Sequence, residues 1–288
     1  MKKILISGGT RYLGKVVTSI LSEKNKDYEV ATLSRTKNQH LNIKHFICDR
    51  KEIESLAYVF NEFKPNIILD MINFSEDDSK GMVKLFEKGI LSELEHYISI
   101  SSFFVYNYFN VSEFSEKKLN TNKNLTYTDD YTLHKVKSEI ALYSSPLMEF
   151  TSILRLPFIF SADDYSNRFQ NACEFAINEK KNKLDNKFKF SLIRKKTAAD
   201  SIINILNHAP LGITDIANNG CVTSEELCLI LSDDQINKTS FRKDSILNFP
   251  YFVEKDICLN TNKIILNESI SEALRKEAEI YFSEFKKA

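Results

Sequence analysis

Seven glycines are all that this chain of 288 residues contains, and three of them fall between Gly8 and Gly14. They sit in Lys2-Lys3-Ile4-Leu5-Ile6-Ser7-Gly8-Gly9-Thr10-Arg11-Tyr12-Leu13-Gly14. Glycine reaches positive φ and lets backbone approach a ligand closely, so a chain that avoids it elsewhere has a physical reason to gather it here. The apolar run Ile4-Leu5-Ile6 has the pattern of a buried parallel strand. After Tyr12, the residues Leu13, Val16, Val17, Ile20 and Leu21 recur with helical period. Strand, glycine turn and helix together aim amide N–H groups and a positive helix end at a phosphate, which is how a dinucleotide pyrophosphate is held. A rival pattern overlaps it. Gly9-Thr10-Arg11-Tyr12-Leu13-Gly14-Lys15 fits most of a P-loop, but that motif needs Ser or Thr next, to bind magnesium. The next residue is Val16, which has no oxygen, so the P-loop is the weaker reading. A tight turn with no ligand stays open on the glycines alone.

Strand and helix patterns alternate along the chain. Further strands are predicted at Glu29–Leu33, His45–Cys48, Ile67–Asp70, Tyr97–Ile100 and Phe150–Phe160. Helices are predicted around Ile53–Phe60, around Met82–Phe86 and from near Tyr131. A polar segment, Ser112–Asp130, is long enough to be functional. The last third is expected to hold helices over Arg168–Lys181 and Thr197–His208 and a short strand at Ile213–Ile216. Thr223-Ser-Glu-Glu226 and Ser269-Ile-Ser-Glu272 read as capping boxes, opening helices through Leu231 and to Phe285. The alternation predicts an α/β fold with a doubly wound parallel sheet. Residues 1–160 are expected to form the nucleotide-binding domain. Residues 161–288 are expected to mix a small substrate-binding region with elements that return to the core.

Composition excludes several classes. Lys+Arg and Asp+Glu number 39 each, so no global charge draws the chain to nucleic acid or membrane. No apolar stretch approaches the length of a membrane span. The N-terminal lysines lead into a strand and turn, not a signal peptide. Cys48, Cys173, Cys221, Cys228 and Cys258 are widely spread and form no C-x-x-C pair. They indicate neither zinc nor a disulfide framework and are expected to be small buried filler in a cytoplasmic protein. His40, His45, His96 and His208 are scattered and suggest no metal site.

Tyr131-Thr-Leu-His-Lys135 places a phenol and an ammonium four residues apart, on one helix face. A phenol with a pKa near ~10 is a poor acid or base at neutral pH, and a neighbouring lysine charge lowers that value. The tyrosine can then exchange a proton with a carbonyl or hydroxyl oxygen. Tyr97-Ile-Ser-Ile-Ser-Ser-Phe-Phe-Val-Tyr106 puts serines at the end of a strand, where a hydroxyl can hydrogen-bond a substrate oxygen. His134, inside the Tyr-x-x-x-Lys motif, reads as a helix surface residue.

Glycine turn, strand-end serine and Tyr-x-x-x-Lys, in this order, resemble the extended branch of the short-chain dehydrogenase/reductase superfamily, the NAD-dependent epimerase/dehydratase family. The resemblance runs nearly the whole length and implies a Rossmann-type sheet. Ser-Ser-Phe-Phe-Val-Tyr resembles the branch's Ser-Ser-x-x-Val-Tyr, which makes Ser102 the catalytic serine. Leu154-Arg155-Leu156-Pro157 resembles its Leu-Arg-x-Pro segment beside the nicotinamide, and Leu259–Lys263 with the final helix resembles its C-terminal segment. By that resemblance Tyr131 is the proton donor or acceptor, Lys135 tunes it and hydrogen-bonds the nicotinamide ribose, and Ser102 orients the reacting oxygen. The cofactor is implied to lie against Gly8, Thr10, Arg11, Tyr12, Leu13, Gly14, Ser34, Arg35, Asp49, Arg50, Met71, Ile72, Lys135 and Pro157. Phe74, Phe104, Tyr106, Phe158 and Arg168 are candidates for the substrate pocket, although buried aromatics are more often core.

Three departures from the family pattern bear on function. Arg11 stands where glycine is usual, a cation beside the pyrophosphate. Strand two ends Leu33-Ser34-Arg35-Thr36, without the acid that binds the ribose of NAD. Arginine suits a 2′-phosphate, so NADP(H) is expected over NAD(H). Dehydratases of the branch place an Asp-Glu pair where Phe103 and Phe104 stand, so elimination is not expected. The leading expectation is an NADPH-dependent reductase of a keto sugar carried on a nucleotide. An epimerase with retained NAD is the alternative, and a cofactor-sensing regulator or RNA-binding protein is the alternative of another class. Relatives often pair through the Tyr131 helix, so a homodimer is compatible with the sequence.

Overall fold

The computed structural model describes residues 1–23, 27–37, 43–108, 129–178, 187–208, 210–232, 250–251, 253–259 and 268–285. The polar segment at 112–130 and the segment at 259–263 therefore lie almost wholly outside the described residues, as does His40.

In chain order the elements are β1 (Lys2–Ser7), α1 (Tyr12–Glu23), β2 (Tyr28–Ser34), β3 (Lys44–Ile47), α2 (Ile53–Phe63), β4 (Ile67–Asp70), α3 (Glu76–Glu87), β5 (His96–Ser102) and the short α4 (Val105–Tyr108). They continue with α5 (Asp130–Tyr143), β6 (Thr151–Leu156), β7 (Phe158–Phe160), α6 (Arg168–Asn178), β8 (Leu192–Arg194), α7 (Lys195–His208), β9 (Gly212–Asp215), α8 (Ser224–Leu231) and α9 (Ile270–Phe285). Seven strands form one sheet in the order β3-β2-β1-β4-β5-β6-β9. The pairs β1–β2, β1–β4, β2–β3, β4–β5 and β6–β9 are parallel. This is the doubly wound Rossmann order, with its crevice at the carboxyl ends where β1 meets β4.

The chain packs as two compact units. One comprises Met1–Arg155 with Ala199–Asp215; the other comprises Leu156–Ala198 with Ile216–Ala288. In the first, β1, β4 and β5 bury nearly every side chain on both faces, because helices cover both sides of a parallel sheet. α3 begins at a capping box: Ser75 Oγ accepts from Asp78 N and the Asp78 carboxylate accepts from Ser75 N.

Two expectations are corrected. Phe150–Phe160 is not one strand. A 3₁₀ turn over Pro146–Phe150 precedes β6, and Pro157 separates β6 from β7. Proline has no N–H for the ladder, and β7 pairs with β8 in a separate two-stranded sheet. Cys221 and Cys258, expected as filler, are joined by a disulfide with Cα atoms 5.8 Å apart. Their spacing of 37 residues hides the pairing in the sequence; Phe190 brings them together by bridging to Val222 on one side and Ile257 on the other. Both capping boxes read from this region are formed, Thr223 with Glu226 and Ser269 with Glu272.

The glycine turn depends on a buried hydroxyl. Thr18 Oγ1, fully buried in α1, donates to the carbonyls of Gly9 (2.9 Å) and Gly14 (2.8 Å) and so clamps both ends of the turn. Thr18→Val keeps the shape and takes this donor from the Gly9 carbonyl, while Gly14 O keeps its helical bond from Thr18 N. It is expected to lower unfolding stability in urea by about 1–2 kcal/mol with an unchanged slope. A midpoint equal to the wild type would show that the turn does not need this clamp.

Candidate active site

Backbone contacts gather the sheet's carboxyl ends around the glycine turn. Gly8 N donates to Leu33 O (3.2 Å) at the end of β2, and Met71 N donates to Ser7 O (3.0 Å) just beyond β4. Gly8 has φ of +82°, a conformation suited to glycine. At Gly14 the constraint is steric: an added Cβ would lie 2.2 Å from Gly8 O, backbone that cannot yield. Thr10 and Tyr12 are half-buried, Leu13 is buried, and Arg11 is exposed at the turn. Tyr12, at φ of +43°, takes the left-handed conformation as α1 begins. A glycine-lined turn at a helix start fits a pyrophosphate by its donors and its lack of side chains.

Lys135 is a buried cation held by backbone of the first unit. It is 2% exposed, and its ammonium donates to Asn73 O (2.7 Å) and Ile100 O (2.8 Å). These carbonyls lie just beyond β4 and within β5, so α5 is pinned across the ends of two neighbouring strands. Asn73 is held in turn: its amide donates to Ser79 Oγ (3.0 Å) and Ser99 Oγ (2.9 Å), and Ser138 Oγ donates to its Oδ1 (3.1 Å). Burial lowers the Lys135 ammonium to about 8, against the opposing pull of Asp70 and Glu139.

Aromatic rings surround this nitrogen. Nζ lies 4.9 Å from the Phe74 ring centre and 6.0 Å from that of Tyr131. The Phe104 and Tyr131 rings meet edge to face at 6.4 Å, and Phe104 N donates to Ser102 Oγ at 3.3 Å. Ser102 is buried while Tyr131 is 45% and Phe74 50% exposed. Serine, tyrosine and lysine thus belong to one continuous cluster with Phe74 and Phe104 at its open side. The arrangement offers a phenol beside an ammonium, chemistry suited to moving a proton on and off an oxygen.

Other candidate residues are distributed more widely. Arg35 is exposed just past β2, and Ser34 Oγ donates to Thr36 O (2.8 Å). Asp49 Oδ1 accepts from Lys51 N (3.0 Å). Arg50 turns inward, pairing Nη1 with Asp70 Oδ1 (2.5 Å) and Nε with Asp78 Oδ1 (3.2 Å). Met71 and Ile72 are half-buried, and the Ile72 methyl fills the space where a Gly8 Cβ would stand, at 2.6 Å. Tyr106, expected at the substrate, is placed in the interior instead: it is 2% exposed and its hydroxyl donates to Asp215 Oδ2 (2.7 Å). Pro157, Phe158 and Arg168 belong to the second unit. There Pro157 is buried, Phe158 packs against Phe190 and Tyr251, and Arg168 Nε donates to Ser166 Oγ (2.9 Å).

Sequence reasoning missed Asn73, Asp70, Glu139 and Thr18. Glu139 had a visible signal, since it follows Lys135 by one helical turn on the same face. Among the described residues no group of His, Cys, Asp and Glu could hold a metal ion, and no helix is long and apolar enough to cross a membrane.

No family model matches the sequence, and a search of curated proteins finds no relative. Solved structures do share the fold. A dTDP-glucose 4,6-dehydratase from Bacillus anthracis, solved in complex with NAD, superposes with a TM-score of 0.76 at 13% identity, covering 100% of this chain and 98% of the other. A UDP-N-acetylglucosamine 4-epimerase from Bacillus cereus gives 0.69 at 16% identity, covering 98% and 99%. A UDP-glucose 4-epimerase from Thermotoga maritima, solved with UDP-glucose, gives 0.69 at 17% identity, covering 99% of each. At these identities the likeness establishes a shared fold along the entire chain.

The Lys135 environment sets a stability test. Its ammonium persists to about 8 in the folded protein and to the ordinary 10.5 in the unfolded chain. Between these values the unfolded chain binds the additional proton, so this group makes stability rise with pH across that window. Relative to Lys135→Met, the wild type should gain about 3 kcal/mol between the two values in urea unfolding. A constant difference over that range would contradict the burial of a charged lysine.

Proposed function

We propose that this protein is a nicotinamide-dinucleotide-dependent enzyme acting on a nucleotide-linked sugar, and that it is an epimerase retaining NAD. The observation that carries the reading is the seating of Lys135 on the carbonyls of Asn73 and Ile100, in one cluster with Ser102 and Tyr131. Support also comes from the neighbouring folds, two of which are UDP-sugar 4-epimerases, and from NAD in the dehydratase complex. The glycine turn would hold the pyrophosphate and Lys135 the nicotinamide ribose. A nicotinamide bound there supplies reversible hydride acceptance. Tyr131 removes the proton from a sugar hydroxyl and returns it, Ser102 hydrogen-bonds the same oxygen, and the Lys135 charge favours the phenolate. Dehydration is disfavoured even though a dehydratase is among the neighbours. Phe103 is fully buried, and neither it nor Phe104 can transfer a proton.

Arg35 favours a second reading, the NADPH-dependent reductase of a keto sugar. It lies exposed just past β2, at the position from which a guanidinium would grip a 2′-phosphate.

Fluorescence titration with NADH and NADPH, followed by assay on UDP-hexoses, separates the two. The epimerase reading expects tighter NADH binding and inversion with no net cofactor consumption. Tighter NADPH binding with consumption of NADPH by a 4-keto nucleotide sugar would replace it with the reductase. Under either reading Tyr131→Phe should cut turnover by about 10²–10⁴-fold. Turnover that survives this change would remove Tyr131 from the chemistry and leave cofactor sensing as the better account.

A further inference from the structure

Behind the Ser102, Tyr131 and Lys135 cluster runs a second, wholly buried polar chain that the chemistry above does not use. Ser101 Oγ donates a short hydrogen bond to Glu139 Oε1. Arg155 from β6 grips the same carboxylate, through Nε at 3.1 and 3.2 Å and Nη2 at 2.6 Å. The Arg155 guanidinium lies 4.7 Å from the Tyr106 ring centre, and Tyr106 donates to Asp215 on β9. Glu139 and Arg155 are each 1% exposed, and Asp215 is fully buried. All these residues belong to the first unit.

The attachment points give the chain its meaning. Glu139 is one turn beyond Lys135 on α5, and Ser101 precedes Ser102 at the end of β5. One carboxylate therefore ties the helix that carries tyrosine and lysine to the strand that carries the serine, and anchors both to β6. Ion pairs removed from water are a costly way to gain stability alone, and apolar residues of similar volume often do as well. What a bidentate carboxylate–guanidinium pair adds is fixed direction.

We propose that Glu139 is the positioning residue of this site, holding Lys135 and Ser102 in mutual register through Ser101 and Arg155. The inference rests on the dinucleotide-dependent reading above, for which that register matters. Glu139 also adds negative charge to the surroundings of Lys135. Facing that ammonium are Asp70, Asp78 and Arg50 on the β4 and α3 side, and Glu139 on its own helix. The rings of Phe74 and Tyr131 complete the surroundings.

The test pairs an activity-independent reading with a binding reading. Lysine-labelled protein is titrated by NMR, the Lys135 resonance being identified by its loss in Lys135→Arg, and NAD(H) affinity is measured by fluorescence. The double variant Glu139→Leu/Arg155→Met removes both charges together and so avoids an unpaired buried ion. A positioning role expects this variant to fold, to bind NAD(H) about tenfold more weakly, and to titrate Lys135 lower than in the wild type. A variant that folds, binds and titrates like the wild type would overturn the proposal and leave the pair a staple of the core. If the double variant does not fold, Ser101→Ala, which loses one hydrogen bond, is judged by affinity alone: about fivefold weaker binding supports the proposal, and unchanged binding overturns it. Should the wild type bind no dinucleotide, the functional reading fails, while Lys135 titration in the double variant still decides the role of Glu139.

Discussion

A buried ammonium must find acceptors, and the donation of Lys135 to Asn73 O and Ile100 O organises the first unit around it. Water is displaced from this nitrogen by protein backbone and aromatic rings, so the positions of those carbonyls become part of the charge's stability. That requirement spreads outward. The Asn73 backbone is fixed by its own side chain, which is held among Ser79, Ser99 and Ser138. Ile100 is fixed by the sheet. Each polar group below the ammonium has a partner, which is the condition for a buried network to favour one geometry.

Two ionic groups lie near this centre. On one side Arg50 joins Asp70 and Asp78, with Tyr97 donating to Asp70 at 2.8 Å. On the other, Arg155 joins Glu139. In each group the guanidinium meets carboxylates in nearly dry surroundings, where a missing partner is far more costly than a replaced pair. Carboxylates near Lys135 offset part of its desolvation, which is why the ammonium is held at neutral pH despite complete burial. The Arg50 guanidinium, expected against the cofactor, is thereby committed to the interior.

The doubly wound parallel sheet and the turn were legible in the sequence because they rest on local signals: apolar runs alternating with helical periods, and glycines where backbone crowds backbone. Gly14 shows this most clearly, since no other residue fits against Gly8 O. Ser102, Tyr131 and Lys135 were legible because their chemistry and spacing coincide. The partners that orient them were not. Asn73 and Arg155 act across the fold, 62 residues from Lys135 in the case of Asn73, and no linear pattern joins them to it; Glu139 lies one helical turn past Lys135, and its pairing with Arg155 and Ser101 is what the sequence hides. Tyr106 was misplaced for a related reason. An aromatic near a strand end reads the same whether it faces a ligand or Asp215. The Cys221–Cys258 link and the break at Pro157 likewise depend on pairings between distant segments.

In the function proposed for this protein, the glycine turn and the Lys135 cluster form one dinucleotide site. Hydrogen–deuterium exchange with and without saturating NAD tests it most directly. Binding as described should slow exchange of amides in residues 8–14 and, in the same experiment, in 71–74, 100–104 and 131–135. Protection confined to other segments, or none at saturation, would contradict it.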